Sequence, residues 1–227
     1  MGGQACILYG GAEFSRDIDL AVAVSAENLG RLRDALAALE AEPEFYPPLS
    51  ASVLRRGHAC HFRCLASGLH RLRIDLMSRM RGVPTFSILW KRRMEIDLPG
   101  VGIVPVMSLA DLLKAKKTQR DKDWPMIRRL VEADVTNAGS NPTSARIALW
   151  LREGRTFELL RELGRRFPRE AAAAARRRPA LKAALGDDAR RAAALLRREE
   201  DEERRRDRRY WAPLRAELER WQLGRGG

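Results

Sequence analysis

Gly10-Gly11-Ala12-Glu13-Phe14-Ser15-Arg16-Asp17-Ile18-Asp19-Leu20-Ala21-Val22 reads as a glycine-rich turn running into a strand with two aspartates separated by a single residue. Successive side chains of a strand point to opposite faces. Asp17, Asp19, Ala21 and Ala23 therefore share one face, and Ile18, Leu20, Val22 and Val24 share the other. The apolar set is expected to be buried. The other face presents two carboxylates roughly 6.6 Å apart along the strand, followed by small alanines that leave room for a bulky group. Carboxylates so close repel each other unless a cation or a shared proton lies between them. Hard oxygen ligands on a rigid strand suit Mg²⁺, which takes one or two protein carboxylates and keeps its other positions for water and substrate phosphates.

Upstream, Gly2-Gly3 precedes a small apolar segment, residues 5–9, expected to form a turn or two of helix before Gly10-Gly11. Glycine pairs let backbone N–H groups come close to a phosphate. Downstream, Ser25 is an N-cap for a helix with Leu29, Leu32, Leu36 and Leu39 at helical spacing. That helix ends before Pro43, and Pro47-Pro48 mark a loop. A hairpin follows over residues 58–64 and 69–77, turning at Ala66-Ser67-Gly68. In its second arm Leu72, Ile74 and Leu76 alternate with Arg73, Asp75 and Met77, so Asp75 stands on the face away from the apolar set. A third carboxylate on a neighbouring strand is what two ions about 3.5–4 Å apart need. The ordinary alternative is an Asp75–Arg73 pair on the same strand face.

Strands are expected over residues 94–98 and 103–106 about the turn Gly100-Val101-Gly102. No helix opens after that turn, so it is a hairpin and not a dinucleotide fingerprint. Ser108 and Asp111 have capping-box spacing and open a helix that carries Lys114, Lys116 and Lys117. Asp121-Lys122-Asp123 breaks it, and a second helix carries Met126, Ile127, Leu130 and Val131. A lysine here could reach a triphosphate as a point charge, although a solvated lysine face is the commoner outcome.

Residues 136–144 have linker composition, and 145–227 read as helical, with stops near Pro168, Pro179 and Gly186. The expected architecture is α/β (α+β): a mixed sheet flanked by helices over residues 1–135, the linker, and an all-helical basic domain over 145–227. Residues 1–135 hold 20 basic and 16 acidic side chains, and 136–227 hold 23 and 14, so most of the net charge of +13 is C-terminal. Such an excess favours a polyanionic partner, nucleic acid above all. Part of it is explained by pairing along a helix, because Glu199 to Glu203 precede Arg204-Arg205-Arg206. Trp150, Trp211 and Trp221 lie among leucines at helical spacing and are expected to anchor packing.

The 227 residues suffice for one good core, or one domain and a smaller companion. Three cysteines, Cys6, Cys60 and Cys64, do not make a disulfide framework, and a reducing cytoplasm is the expected compartment. No apolar run approaches the ~18 residues of a membrane span, and no signal-peptide pattern opens the chain. His58, Cys60, His61 and Cys64 are close in sequence, but on a strand His61 points away from the other three, which argues against a tetrahedral zinc site. No histidine is placed by sequence to activate Ser15 or Ser78 as a nucleophile.

Taken together, Gly2-Gly3, the spacer, Asp17-Ile18-Asp19-Leu20 and the later Leu72-Arg73-Ile74-Asp75-Leu76 strand resemble the nucleotidyltransferase superfamily of the DNA polymerase beta type. The segment from Ser108 through Lys116 to Lys122-Asp123-Trp124 is similar to the helical region of its bacterial minimal and abortive-infection branches, some of whose members are toxins of toxin–antitoxin pairs. The resemblance covers about residues 2–134. It implies transfer of a nucleoside monophosphate from an NTP to a hydroxyl acceptor, RNA such as tRNA or a protein, with two Mg²⁺ ions. It makes Asp17, Asp19 and Asp75 the metal ligands, with Asp75 also accepting the proton of the attacking hydroxyl. Gly2 and Gly3 would line the triphosphate, with Gly10, Ser15 and Arg16 beside them and Lys116 and Asp123 as auxiliary residues. The family carries a strand and a helix ahead of the glycine pair, and both are expected to be missing here. An antitoxin is the expected protein partner, and no membrane is. Two rival expectations are a catalytically degenerate nucleic-acid binder and a module whose arginine/glutamate helices pack on an antitoxin.

Overall fold

The computed structural model describes residues 1–44, 47–69 and 71–223. Residue 70 of the expected hairpin and residues 224–227 of the expected helical domain lie outside them. The chain runs α1 (Gly2–Leu8), β1 (Asp17–Ala21), α2 (Ala26–Ala38), β2 (Ala41–Pro43), α3 (Ala51–Arg56), β3 (Cys60–Cys64), β4 (Arg73–Met77), α4 (Phe86–Arg92), β5 (Met94–Leu98), β6 (Gly102–Val106) and α5 (Leu109–Ala115). Helices follow: α6 (Asp123–Thr136), α7 (Ser144–Glu153), α8 (Phe157–Arg166), α9 (Pro168–Ala175), α10 (Pro179–Leu185) and α11 (Ala189–Leu223). The fold is thus mixed α/β with a small mixed sheet and a C-terminal helical region, and among the described residues no helix is long and apolar enough to cross a membrane. Two compact units form, one from Met1–Leu8, Glu13–Ala115 and Arg209–Gly227, the other from Tyr9–Ala12 and Lys116–Arg208.

The first unit is built on a four-stranded sheet of order β1-β4-β3-β2, with β1 and β4 parallel and the other neighbours antiparallel. Alternation along the strands makes its two faces different. Cys60, Phe62 and Cys64 of β3 and Ile74 and Leu76 of β4 join Leu29 and Leu36 of α2 and Val53 and Leu54 of α3 in one core. Ser25 and Ser50 start those helices by accepting from Asn28 and Val53 N–H. The burial expected for the apolar face of the aspartate strand holds only in part. The core takes Val22 and Val24 from this segment, whereas Leu20 is 39% exposed. The reason is topological: β1 is an edge strand and the core lies over β4 and β3. The Gly100–Gly102 hairpin forms as β5 and β6, and both glycines take positive φ. The Ser108 hydroxyl accepts from Asp111 N–H at 3.3 Å at the start of α5.

The end of α11 also belongs to this unit, which differs from a C-terminal domain that is separate throughout. Buried His58 bonds Glu217 at 2.8 Å, Arg56 pairs with the same carboxylate, and Trp221 lies against the His58 ring at 4.9 Å.

The second unit packs α7, α8, α9 and α10 against one another, with Trp150, Leu151, Leu160, Leu163 and Leu181 fully buried. Thr143 and Thr156 cap α7 and α8, and Pro168 and Pro179 open α9 and α10 as first-turn prolines. The stretch read as a linker joins α6 to α7 inside this unit, where Arg146 bonds Asp134 at 2.7 Å across it. The dense basic runs separate into two kinds. Arg204, Arg205 and Arg206 are paired with Glu200 and Glu202 one helical turn back, whereas exposed Arg176 and Arg177 have no carboxylate partner among the described residues.

Asp123 at the start of α6 is fully buried. Burial pushes its carboxyl up, but the Lys116 ammonium, the Thr118 hydroxyl and Arg120 outweigh that and hold it below the usual carboxylate range. A depressed folded pKa means that the stabilisation is complete above the unfolded value, about 4, and is lost as the pH falls below it. Removing one partner of a buried pair leaves an uncompensated charge, so Asp123→Ala is expected to destabilise the chain by about 3–5 kcal/mol. Melting curves at pH 7 and pH 3 should show a smaller pH effect in Asp123→Asn than in wild type.

Candidate active site

The face of the sheet away from the core is charged. Parallel pairing sets Asp17 beside Arg73 and Asp19 beside Asp75, and antiparallel pairing sets His61 beside Asp75 and Arg63 beside Arg73. Because residues in register on neighbouring strands point the same way, the three aspartates read from the sequence share one face of two adjacent strands.

Gly2 and Gly3 come together with this strand. Gly2 has φ of +62°, and a Cβ there would lie 1.7 Å from the Asp19 Oδ2 atom. Gly3 N–H donates to the same oxygen at 3.2 Å, and a Cβ on Gly3 would lie 2.2 Å from the Ser15 hydroxyl. Ser15 in turn donates to the Asp17 carbonyl at 3.1 Å. The glycine pair is therefore required by close approach to Asp19 and Ser15. A methyl at Gly2 meets both the carboxylate and a left-handed backbone, a strain of about 1–2 kcal/mol. Gly2→Ala should lower stability by at least that amount and displace the Asp19 carboxylate, and thermal melts against wild type check it.

Asp75 is held tightly. Arg73 donates to it from Nε at 2.8 Å and from Nη2 at 2.9 Å, and His61 Nδ1 lies 2.7 Å from Oδ1. Burial raises the Asp75 carboxyl, but the His61 and Arg73 hydrogen bonds prevail and hold it below the usual range. Arg73 is itself 3.9 Å from Glu44, which Arg63 also binds. The Asp75–Arg73 pair weighed from the sequence is thus present alongside the shared face.

The remaining expected site residues fall elsewhere. Arg16 is exposed, with its guanidinium over the Phe14 ring at 5.7 Å. Gly10 is exposed, and a Cβ there would lie 3.4 Å from Ala133 of α6. Lys116 and Asp123 belong to the helical unit and bind each other at 3.2 Å. Lys114 and Lys117 likewise have partners, Asp111 and Glu153. Cys60 and Cys64 are buried thiols on the core side, with Cys60 pushed up to about 11 mainly by burial. Sequence reasoning weighed Arg73 beside Asp75 but missed His61 and Glu44 around that pair. The alternation that turned His61 away from the cysteines carried the signal for that residue.

The donor chemistry fits a divalent ion at Asp17 and Asp19, two neighbouring carboxylates, neither of them in an ion pair among the described residues. It does not fit a second ion at Asp75, both of whose oxygens accept from Arg73. Among the described residues no group of three or more His, Cys, Asp or Glu side chains is gathered as a metal site. A scan against protein-family models finds no match to the chain, and a search of curated proteins finds none either.

Proposed function

We propose that the charged face carries out nucleotidyl transfer: an acceptor hydroxyl attacks the α-phosphate of an NTP, forming a new phosphodiester and releasing pyrophosphate. The observation that carries this reading is the strand register, which brings Asp75 beside Asp19, with Asp17 two residues away and the Gly2-Gly3 backbone against the same carboxylate. Asp17 and Asp19 would hold a Mg²⁺ ion, whose chemistry here is neutralisation of charge on the phosphates. Asp75 would take the proton of the acceptor hydroxyl on the Oδ2 lone pair that Arg73 leaves, with His61 and Arg73 fixing its orientation. Positioning and charge neutralisation are sufficient for phosphoryl chemistry, which needs no activated protein nucleophile. This reading makes the chain a member of the polymerase-beta-type superfamily and, by its toxin-like branch, a toxin with an antitoxin partner.

RNA is the acceptor class favoured by charge. Arg176, Arg177, Arg190, Arg191, Arg197 and Arg198 are exposed on the helical unit without carboxylate partners among the described residues. Binding that neutralises phosphates weakens with salt, by about 0.7 in log–log slope per contact on single strands. Arg176→Ala with Arg177→Ala should therefore flatten the slope for RNA by about 1.4, measured by fluorescence anisotropy. The Arg73–Asp75 pair favours a second reading, a binder of nucleic acid without transfer activity. Incubation with each α-labelled NTP, Mg²⁺ and total cellular RNA or lysate separates the two. Label in a discrete band with wild type but not with Asp17→Asn supports transfer, and salt-sensitive RNA binding with no incorporation supports the second reading.

A further inference from the structure

We propose that Arg73 is a built-in counter-ion that takes the place of a second divalent cation on this face, leaving Asp17 and Asp19 to hold a single ion. The inference rests on reading the face as a site for nucleotidyl transfer, and it departs from the two-ion expectation. Arg73 grips Asp75 through two parallel N–H···O bonds, at 2.8 and 2.9 Å, one to each oxygen. Such bidentate pairs are the strongest arginine–carboxylate geometry, and a guanidinium does not titrate away at any working pH.

The position is also fixed from outside. Arg73 lies 3.9 Å from Glu44, which is anchored by Arg63, and His61 Nδ1 lies 2.7 Å from Asp75 Oδ1 and 3.1 Å from Arg73 Nη2. In register, Asp17 stands beside Arg73 on one row, and two carboxylates, Asp19 and Asp75, stand side by side on the next. The nearby Asp17 charge adds to the attraction that keeps Arg73 protonated. A dication at Asp75 would have to displace a hydrogen-bonded fork and then sit against the same fixed positive charge. At Asp17 and Asp19 no guanidinium fork closes on the carboxylates among the described residues; Gly3 N–H donates to the Asp19 carboxylate and the Met1 ammonium to the Asp19 carbonyl.

The test is a count of Mn²⁺ ions bound per full-length chain, read by the loss of the free-ion electron paramagnetic resonance signal in the absence of nucleotide. Wild type is expected to bind one ion, Asp75→Asn still one, and Arg73→Gln two. The Asp17→Asn, Asp19→Asn double variant is expected to bind none. Two ions in wild type falling to one in Asp75→Asn overturn the inference while leaving the transfer reading intact. One ion in a folded Arg73→Gln overturns it as well. No ion in wild type removes the inference together with the reading beneath it. The Asp75→Asn comparison does not depend on whether Arg73→Gln folds.

Discussion

Replacing Asp17 and Asp19 together by asparagine is expected to abolish the proposed nucleotide transfer while leaving the melting temperature almost unchanged. Both side chains are half-buried on an edge strand and neither has an ion-pair partner among the described residues, so their removal breaks little that holds the fold. The charges they supply do matter to the reaction. Ion-mediated stabilisation of a phosphoryl transition state contributes several kcal/mol. A loss of about 4 kcal/mol corresponds to about a thousandfold in rate, and the double variant should lose at least that. The check pairs label transfer with a thermal melt. A variant that melts like wild type and still transfers label would remove these two residues from the chemistry.

A large effect on stability is expected within the helical unit. Trp150 is fully buried in the helical unit. Its indole N–H donates to Asp134 at 2.6 Å, and its ring lies 6.1 Å from Phe167 and 5.5 Å from the Arg146 guanidinium. Trp150→Ala removes the ring, leaves a cavity, and strips a partner from Asp134. Large-to-small changes of this kind cost about 3–5 kcal/mol. Trp150→Phe keeps most of the volume and loses mainly the hydrogen bond, a cost of about 1–2 kcal/mol. Urea denaturation followed by helical circular dichroism should rank wild type above Trp150→Phe, and Trp150→Phe well above Trp150→Ala. Equal midpoints for the two variants would show that the hydrogen bond, not the packing, anchors this core.

Much of the architecture is legible locally. Period-two alternation identified the strand at Asp17 and the arms of the Asp75 hairpin, and caps and prolines marked the helix ends. The faces of Asp17, Asp19 and Asp75 follow from alternation alone. Register does not: that Asp19 stands beside Asp75 depends on a parallel pairing across a long crossover. The same limit hid His61 and Glu44 around the Arg73–Asp75 pair, since that meeting spans two strands and the residue after β2. It also hid the return of α11 to the first unit, where His58 and Glu217 meet across 159 residues of sequence. Leu20 was misread because alternation says which side chains can be buried, not how far along the strand the core extends.

On the proposed reading these aspartates serve transfer of the nucleotide rather than of the terminal phosphate. Its most direct test compares α-labelled with γ-labelled NTP under identical conditions, with RNA or lysate as acceptor and Asp17→Asn as control. The account predicts that the acceptor becomes labelled from the α position only, and only by wild type. Label carried over from the γ position, or α-label that survives Asp17→Asn, would contradict it.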